Sequence, residues 1–312
     1  VIASVPSLRP QASTKAACNV AARTVFGPEM ESFNMKQRLI TSGIGLLILF
    51  VVCVFFDTAV LNTAIALISL LAVYELLSAT GCFKSRAVAI SALLFTAIIP
   101  FLPMQWAMRY IVPICYIYVA ALFIALLRFH EKLHIEQIAM SFLFCLVIPF
   151  SLTTVVYIRD RHGMWLGIFY VLMALGGAWL SDTGAYFTGR AFGKHKLAPY
   201  ISPKKTVEGA VGGVIFAEAA MLLLAWLYSL AADALGHPIV VNYAAILIVT
   251  PVLSVFSIVG DLSASVIKRQ YKVKDYGSIM PGHGGIMDRF DSVLMVAPLI
   301  FMASRWFPLA HL

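Results

Sequence analysis

Long apolar runs dominate this sequence and restrict what the chain can fold into. A helix needs about 20 consecutive apolar residues to cross a bilayer, and nine runs reach or approach that length. They cover residues 39–56, 58–79, 87–102, 110–127, 137–157, 165–181, 207–230, 239–260 and 292–309. Only 12% of the 312 residues are charged, whereas soluble domains average about 25%. The sequence therefore predicts an all-α, polytopic integral membrane protein with about nine transmembrane helices.

The Lys and Arg residues are distributed unevenly among the segments that connect these runs. If the N-terminus is cytoplasmic, sixteen of the Lys and Arg residues after residue 34 lie on the cytoplasmic side. The four on the outer side are Arg109, Arg159, Arg161 and Arg305. Because cytoplasmic loops carry the excess of cations, we expect the N-terminus inside and the C-terminus outside. A bacterial-type inner or plasma membrane is the expected location. The net charge of +8 forms no single basic stripe, so a nucleic-acid partner is not predicted.

The chain divides into a short leader and one membrane domain. Residues 1–34 lack a long apolar run, and we expect a disordered N-terminal extension or leader there. Residues 35–312 form a single predicted transmembrane catalytic domain. Its two polar cytoplasmic loops, 181–206 and 261–291, face the same side and are expected to form the active site. The five cysteines are scattered without a C-x-x-C pair, so neither a disulfide framework nor a zinc site is predicted.

Carboxylates recur at helical spacing in the loop 261–291. If the eighth span continues as a helix past Asp261, then Asp261 and Ser265 share one face. Asp288 and Asp291 would share a face at the start of the ninth helix, where the helix dipole favours carboxylates. Three carboxylates, completed by substrate and water oxygens, suit Mg²⁺ bound to a polyphosphate. Asp261, Asp288 and Asp291 are therefore predicted metal ligands, and whether a second cation joins Mg²⁺ is left open.

Cations and glycines accompany these carboxylates. Four of the segment's five Lys and Arg residues are predicted to neutralise phosphate oxygens, namely Lys268, Arg269, Lys274 and Arg289. Gly282, Gly284 and Gly285 allow a close backbone approach and expose N–H groups to an anion. His283 is either a phosphate donor or general acid or a structural donor in the glycine turn. Charges that merely solvate a loop are the alternative, although orienting the protein requires Lys and Arg but not Asp.

The pattern of these residues resembles the signature of the phosphatidate cytidylyltransferase family. It reads Ser265-x-x-Lys268-Arg269-x4-Lys274-Asp275-x-Gly277, then Pro281-x-His283-Gly284-Gly285-x-x-Asp288-Arg289-x-Asp291. More than ten positions fall at the expected spacing. Lys268, Arg269, Lys274, His283 and Arg289 are thus candidate catalytic residues, and Ser265, Asp275, Gly284 and Gly285 are candidate substrate-binding residues.

The loop 181–206 carries a second group of polar residues. Asp182 ends the sixth span, and Gly and Pro residues after it predict a loop rather than one long helix. Lys204 and Lys205 lie in the run Ser-Pro-Lys-Lys-Thr-x-Glu-Gly and suit a polyphosphate or, as the alternative, anionic lipid headgroups. This loop is similar to the same family, so the resemblance covers about residues 176–292 and makes Asp182, Lys204 and Lys205 further substrate-binding candidates.

The resemblance implies that CTP and phosphatidate react to give CDP-diacylglycerol and pyrophosphate, with Mg²⁺ as cofactor. Membrane lipids are the expected surroundings, and a homodimer is one assembly that the sequence leaves open. One alternative is a CTP-dependent lipid-alcohol kinase, which would have to activate a neutral hydroxyl. The other is a transporter, for which Glu75 and Glu218 inside apolar spans would mark the path; however, the charged residues lie mainly on loops at one face.

Overall fold

A computed structural model describes residues 28–82, 85–280 and 284–312, with side chains from residue 40 onward. Helices form most of these residues. The helices are α1 (Pro28–Val54), α2 (Ala59–Ala79), α3 (Arg86–Ile98), α4 (Met104–Arg128), α5 (Ile135–Phe192), α6 (Val207–Ala234), α7 (Tyr243–Gln270) and α8 (Met287–Trp306). One 3₁₀ turn, Ile99–Phe101, follows α3. The predicted all-α class is confirmed.

Five of these helices, α2, α4, α5, α6 and α7, are long and apolar enough to cross a membrane. Two shorter apolar stretches, Ile40–Val54 and Arg86–Phe101, accompany them. Large apolar side chains on α4, such as Val112, Tyr116 and Leu127, are more than 70% exposed, as expected for a surface that faces lipid. The chain is therefore a membrane protein, while the number of crossings and the sides of the termini stay predictions.

A single residue divides the longest helix, α5, into two halves. Gly163 has φ 71° and ψ −168°, a backbone conformation that glycine adopts without a Cβ penalty. A Cβ added to Gly167 would lie 3.4 Å from the Arg159 Cα, whereas eight residues of a straight helix span about 12 Å. The two halves therefore fold back on each other, as expected for the separate fifth and sixth apolar runs.

The core lies around the two halves of α5, which pack against α2, α3, α4, α6, α7 and α8. Phe169, Tyr170 and Met173 in the second half are fully buried. At the chain's C-terminal end, β3 (Val240–Val241) pairs antiparallel with β4 (Ala310–His311). The Tyr170 hydroxyl donates to Ala310 O at 3.2 Å, which fixes this end to the core.

The predicted loop 181–206 is helical over its first half, because α5 continues to Phe192. The predicted loop is therefore wrong for residues 182–192, which include Gly184 and Gly189, whereas the segment as a whole is not one long helix, as expected. A Cβ added to Gly184 would collide with Phe216 of α6, and one added to Gly189 would collide with Thr206, the residue before α6. These glycines therefore allow close packing between helices and do not break α5. Beyond α5, β1 (Lys196–Ala198) and β2 (Ser202–Thr206) form an antiparallel hairpin.

Helix boundaries elsewhere follow the sequence more closely. The helix α7 continues past Asp261 to Gln270, and α8 begins at Met287, immediately before Asp288. The predicted shared faces of Asp261 with Ser265 and of Asp288 with Asp291 depend on these two features. Residues 1–27 of the predicted leader lie outside the described residues, whereas 28–34 belong to α1. Gly282 and His283 also lie outside the described residues.

Candidate functional site

Three helix segments meet where the sequence places its polar residues: the end of α7, the start of α8 and the second half of α5. Ser292 Oγ on α8 donates to Asp182 Oδ2 on α5 at 2.9 Å. The Lys205 ammonium at the end of β2 forms an ion pair with Asp261 on α7. The segments predicted to carry the polar chemistry are thus in direct contact.

Asp288 is held by three donors. Its Oδ1 pairs with Lys268 Nζ at 2.7 Å, and the Asp288 side chain is only 6% exposed. Its Oδ2 accepts from the Tyr276 N–H at 2.9 Å and from the Gly285 N–H at 3.2 Å. Both oxygens therefore link α7 and the segment 271–286 to the first turn of α8. A metal ion could use Asp288 only by displacing some of these donors.

Asp182, Asp261 and Asp291 form a second carboxylate group, called here the acidic cluster. Asp291 is 8% exposed, and its Oδ1 accepts from the Ser292 N–H at 2.7 Å. Burial, followed by repulsion from Asp261 and Asp182, raises the pKa of Asp291 to about 7, although Lys268 opposes the rise. Neighbouring carboxylates repel one another and so disfavour each other's ionisation. A cation that binds among them reduces this repulsion.

The acidic cluster fits a hard cation in its chemistry, because its ligands would be carboxylate oxygens, which Mg²⁺ prefers. Ser265 Oγ donates to Asp261 Oδ1 at 3.3 Å, which confirms the predicted shared face and orients this carboxylate. Within the described ranges, no three His, Cys, Asp or Glu side chains are already placed as a metal-binding group. The carboxylates would therefore have to draw together around an ion.

The predicted phosphate-binding cations fall into two groups. Lys268 and Lys205 are paired with carboxylates, and the Arg269 Nε–H donates to Ile201 O at 3.2 Å, joining α7 to the hairpin. The other three cations, Lys204, Lys274 and Arg289, have exposed side chains, as do Arg269 and the carboxylate of Asp275. Gly284, with φ 87°, closes a short bridge to Met280 beside these residues. These exposed side chains are accessible to an anionic substrate.

Sequence reasoning gave Glu75 no role beyond lining a polar cavity, but the structure places it against the site. It is 2% exposed, and its Oε2 accepts from the Met287 N–H at 2.9 Å. The only signal in the sequence was a charge inside an apolar run. Glu218 lies elsewhere, in a groove of about 490 Å³ between α6 and α7 that Leu247 and Pro251 also line, and it contributes nothing to the acidic cluster.

Replacing Lys268 by Met tests whether the Lys268–Asp288 pair holds the site together. The variant should lower the free energy of unfolding by about 3 kcal/mol, because it leaves a buried carboxylate without its cation. Thermal or denaturant unfolding in detergent micelles would measure the change. The matched control is Lys194→Met, whose side chain is exposed, for which the change should stay within about 0.5 kcal/mol. Equal stability of the two variants would contradict this role for Lys268.

Comparison with known proteins adds an independent finding. The family model described as "Cytidylyltransferase family" matches residues 36–307. A protein named phosphatidate cytidylyltransferase from Bacillus subtilis is 46% identical over 145 residues, which are 46% of this chain and 51% of that protein. Proteins of the same name from Staphylococcus haemolyticus and Staphylococcus aureus are 46% and 47% identical over 134 residues, 43% of this chain and 48% of each relative. The matched stretch thus spans about half the length of the curated relatives.

Proposed function

The chain belongs to the cytidylyltransferase family, and we propose that it transfers the cytidylyl group of CTP to phosphatidate, giving CDP-diacylglycerol and pyrophosphate. The observation that carries this proposal is the placement of Lys205 and Lys268 beside the acidic cluster, which lies where α5, α7 and α8 of the helical bundle meet. Such an arrangement suits a reaction between two phosphorylated substrates. The names of the relatives support the choice of CTP and phosphatidate.

The chemistry requires little from a general base. A phosphate monoester has its second pKa near about 6, so the phosphate of phosphatidate is already anionic at neutral pH. It can attack the α-phosphorus of CTP directly, with pyrophosphate leaving on the opposite side. The protein must neutralise two anionic reactants, align them and stabilise the charge that develops on the leaving group.

The residues of this chain can meet those requirements in distinct ways. Lys274, Lys204 and Arg289 are exposed at the site and would bind phosphate oxygens of the substrates. Lys205, now paired with Asp261, would share its charge with the triphosphate when CTP arrives. Lys268 stays with Asp288 and keeps the first turn of α8 in place. We assign the binding of the lipid phosphate or of the triphosphate to the exposed cations.

Mg²⁺ would be held by Asp261 and Asp291, with Asp182 in the position that the sequence assigned to Asp288. When bound, the ion polarises phosphate oxygens and takes up charge on the leaving pyrophosphate. Asp182 is favoured over Asp288 because Ser292 donates to Asp182 Oδ2 and no ammonium pairs with this carboxylate at hydrogen-bond distance among the described ion pairs, whereas Lys268 and two backbone N–H groups hold both Asp288 oxygens. The site is proposed to open to the cytoplasm, where the excess of Lys and Arg residues is predicted to lie.

Acceptor choice tests the proposal. Purified protein in detergent is given CTP, Mg²⁺ and either phosphatidate or diacylglycerol, which differ only in the phosphate. Lipid-bound cytidine and an equal amount of pyrophosphate should appear with phosphatidate alone. Phosphorylation of diacylglycerol or of an added polyprenol, with release of CDP, would establish a lipid-alcohol kinase instead. No turnover with any of the three acceptors would remove the proposed activity.

A further inference from the structure

A carboxylate from a distant helix supports the N-terminus of α8. The first N–H groups of a helix lack partners within the helix and usually bond to a side chain just before it. Ile286 precedes α8 and supplies no capping side chain. Instead, Glu75 Oε2 on α2 accepts from the Met287 N–H at 2.9 Å. This helix therefore begins on a cap that lies 212 positions away in the chain.

The backbone at Gly277 and at Gly285 approaches the same carboxylate closely. A Cβ added to Gly277 would collide with Glu75 Oε1 and lie 2.6 Å from its Cδ. A Cβ added to Gly285 would collide with Oε2 and lie 2.8 Å from Cδ. Contacts under 3.0 Å to a Cβ are essentially never seen. Gly277 and Gly285 are therefore needed because Glu75 occupies the space that a side chain would take.

Two carboxylates hold this segment from different sides. Glu75 contacts Gly277 and Gly285 from α2, while Asp288 accepts the N–H groups of Tyr276 and Gly285 from α8. Lys274 and Asp275 immediately precede Tyr276, and the first turns of α8 carry Asp291 and Ser292. Each of the described stretches 271–280 and 284–286 is thus held by both carboxylates.

We infer that Glu75 is a positioning residue for the active site, capping α8 from α2 and holding the stretches 271–280 and 284–286 so that Lys274, Asp288 and Asp291 keep their working geometry. Its negative charge suits this place, since a helix N-terminus carries partial positive charge. The inference adds a role in the site to a residue outside the sequence signature. Its kinetic part rests on the proposed cytidylyl transfer, whereas its structural part does not.

A double-mutant cycle between Glu75 and Gly277 tests the inference. Gly277→Ala alone should lower kcat about 10- to 100-fold, because the added methyl displaces the segment from Glu75. In a Glu75→Ala background the methyl fits the space left by the carboxylate, so adding Gly277→Ala should change kcat less than about twofold. Gly45→Ala is the matched control, since nothing lies within 4 Å of a Cβ there, and it should leave activity unchanged.

Glu75→Gln keeps the shape of the side chain and an acceptor oxygen and removes only the charge. The amide oxygen can still accept from the Met287 N–H, so this variant should lose less activity than Glu75→Ala, with the difference in kcat rather than in KM for CTP. Hydrogen exchange of residues 271–280 and 284–291 should speed up about tenfold in Glu75→Ala and not in Gly45→Ala. Exchange reports the positioning role without any substrate.

The outcomes distinguish this inference from the proposed function. A Gly277→Ala effect of equal size in both backgrounds, or unchanged hydrogen exchange in Glu75→Ala, would overturn the role of Glu75. Absence of activity in the unmodified protein would instead remove the proposed function. In that case the double-mutant cycle would be measured by thermal unfolding. Gly277→Ala should then destabilise the unmodified protein more than it destabilises the Glu75→Ala variant.

Discussion

Asp291→Asn is expected to lower kcat by about a hundredfold or more while leaving the protein as stable as before or slightly more stable. The amide keeps the shape of the side chain and an oxygen that can accept the Ser292 N–H. It removes a buried charge that faces Asp261 and Asp182, so repulsion within the acidic cluster falls. The same charge is needed to hold the cation that stabilises the transferring phosphates, which accounts for the loss of rate.

The measurement pairs initial rates with thermal unfolding of each purified variant. Asp233→Asn, an exposed carboxylate near the other end of α6, is the control and should change neither quantity. Asp288→Asn provides a contrast, because it weakens the pair with Lys268 and should lower stability and rate together. Near-normal turnover by Asp291→Asn would exclude Asp291 from the metal site.

Removal of divalent cations is expected to abolish turnover, with a loss of more than about a hundredfold in excess EDTA. Adding Mg²⁺ back should restore the rate, because carboxylate oxygens with phosphate and water can complete its octahedral shell. Ser265→Ala removes the donor that orients Asp261 and should raise the Mg²⁺ concentration needed for half-maximal rate about 10-fold.

The comparison variant for the metal titration is Ser263→Ala, on the same helix turn but with an exposed side chain, which should leave the Mg²⁺ requirement unchanged. Full activity in EDTA, with no response to added Mg²⁺, would contradict the assignment of a metal to the acidic cluster. The exposed cations would then have to neutralise the substrates alone.

Local spacing predicted the parts of this protein that depend on neighbouring residues. The four-residue interval between Asp261 and Ser265 places them on one helix face, and the observed hydrogen bond joins them. The start of α8 beside Asp288 follows from the same reasoning. The apolar runs also predicted where the helices lie. Backbone N–H and C=O groups inside a bilayer find no water to bond with, and a helix satisfies their hydrogen bonds within the segment.

Contacts between distant segments were not accessible from spacing. Nothing near Glu75 in the chain indicates that its carboxylate meets Met287 and two glycines. Likewise, Asp288 and Asp291 look equivalent in the sequence, yet one is saturated by donors and the other belongs to the acidic cluster. The glycines after Ser181 were ambiguous because glycine serves both as a helix breaker and as a close-packing residue.

The position of the transferred label tests the central claim most directly. Purified protein is incubated with Mg²⁺, phosphatidate and CTP labelled on either the α- or the γ-phosphate. Cytidylyl transfer predicts that the α-label enters the lipid phase while the γ-label leaves as pyrophosphate, in equal amounts. Entry of the γ-label into lipid with the α-label remaining in soluble CDP would contradict cytidylyl transfer and establish phosphoryl transfer.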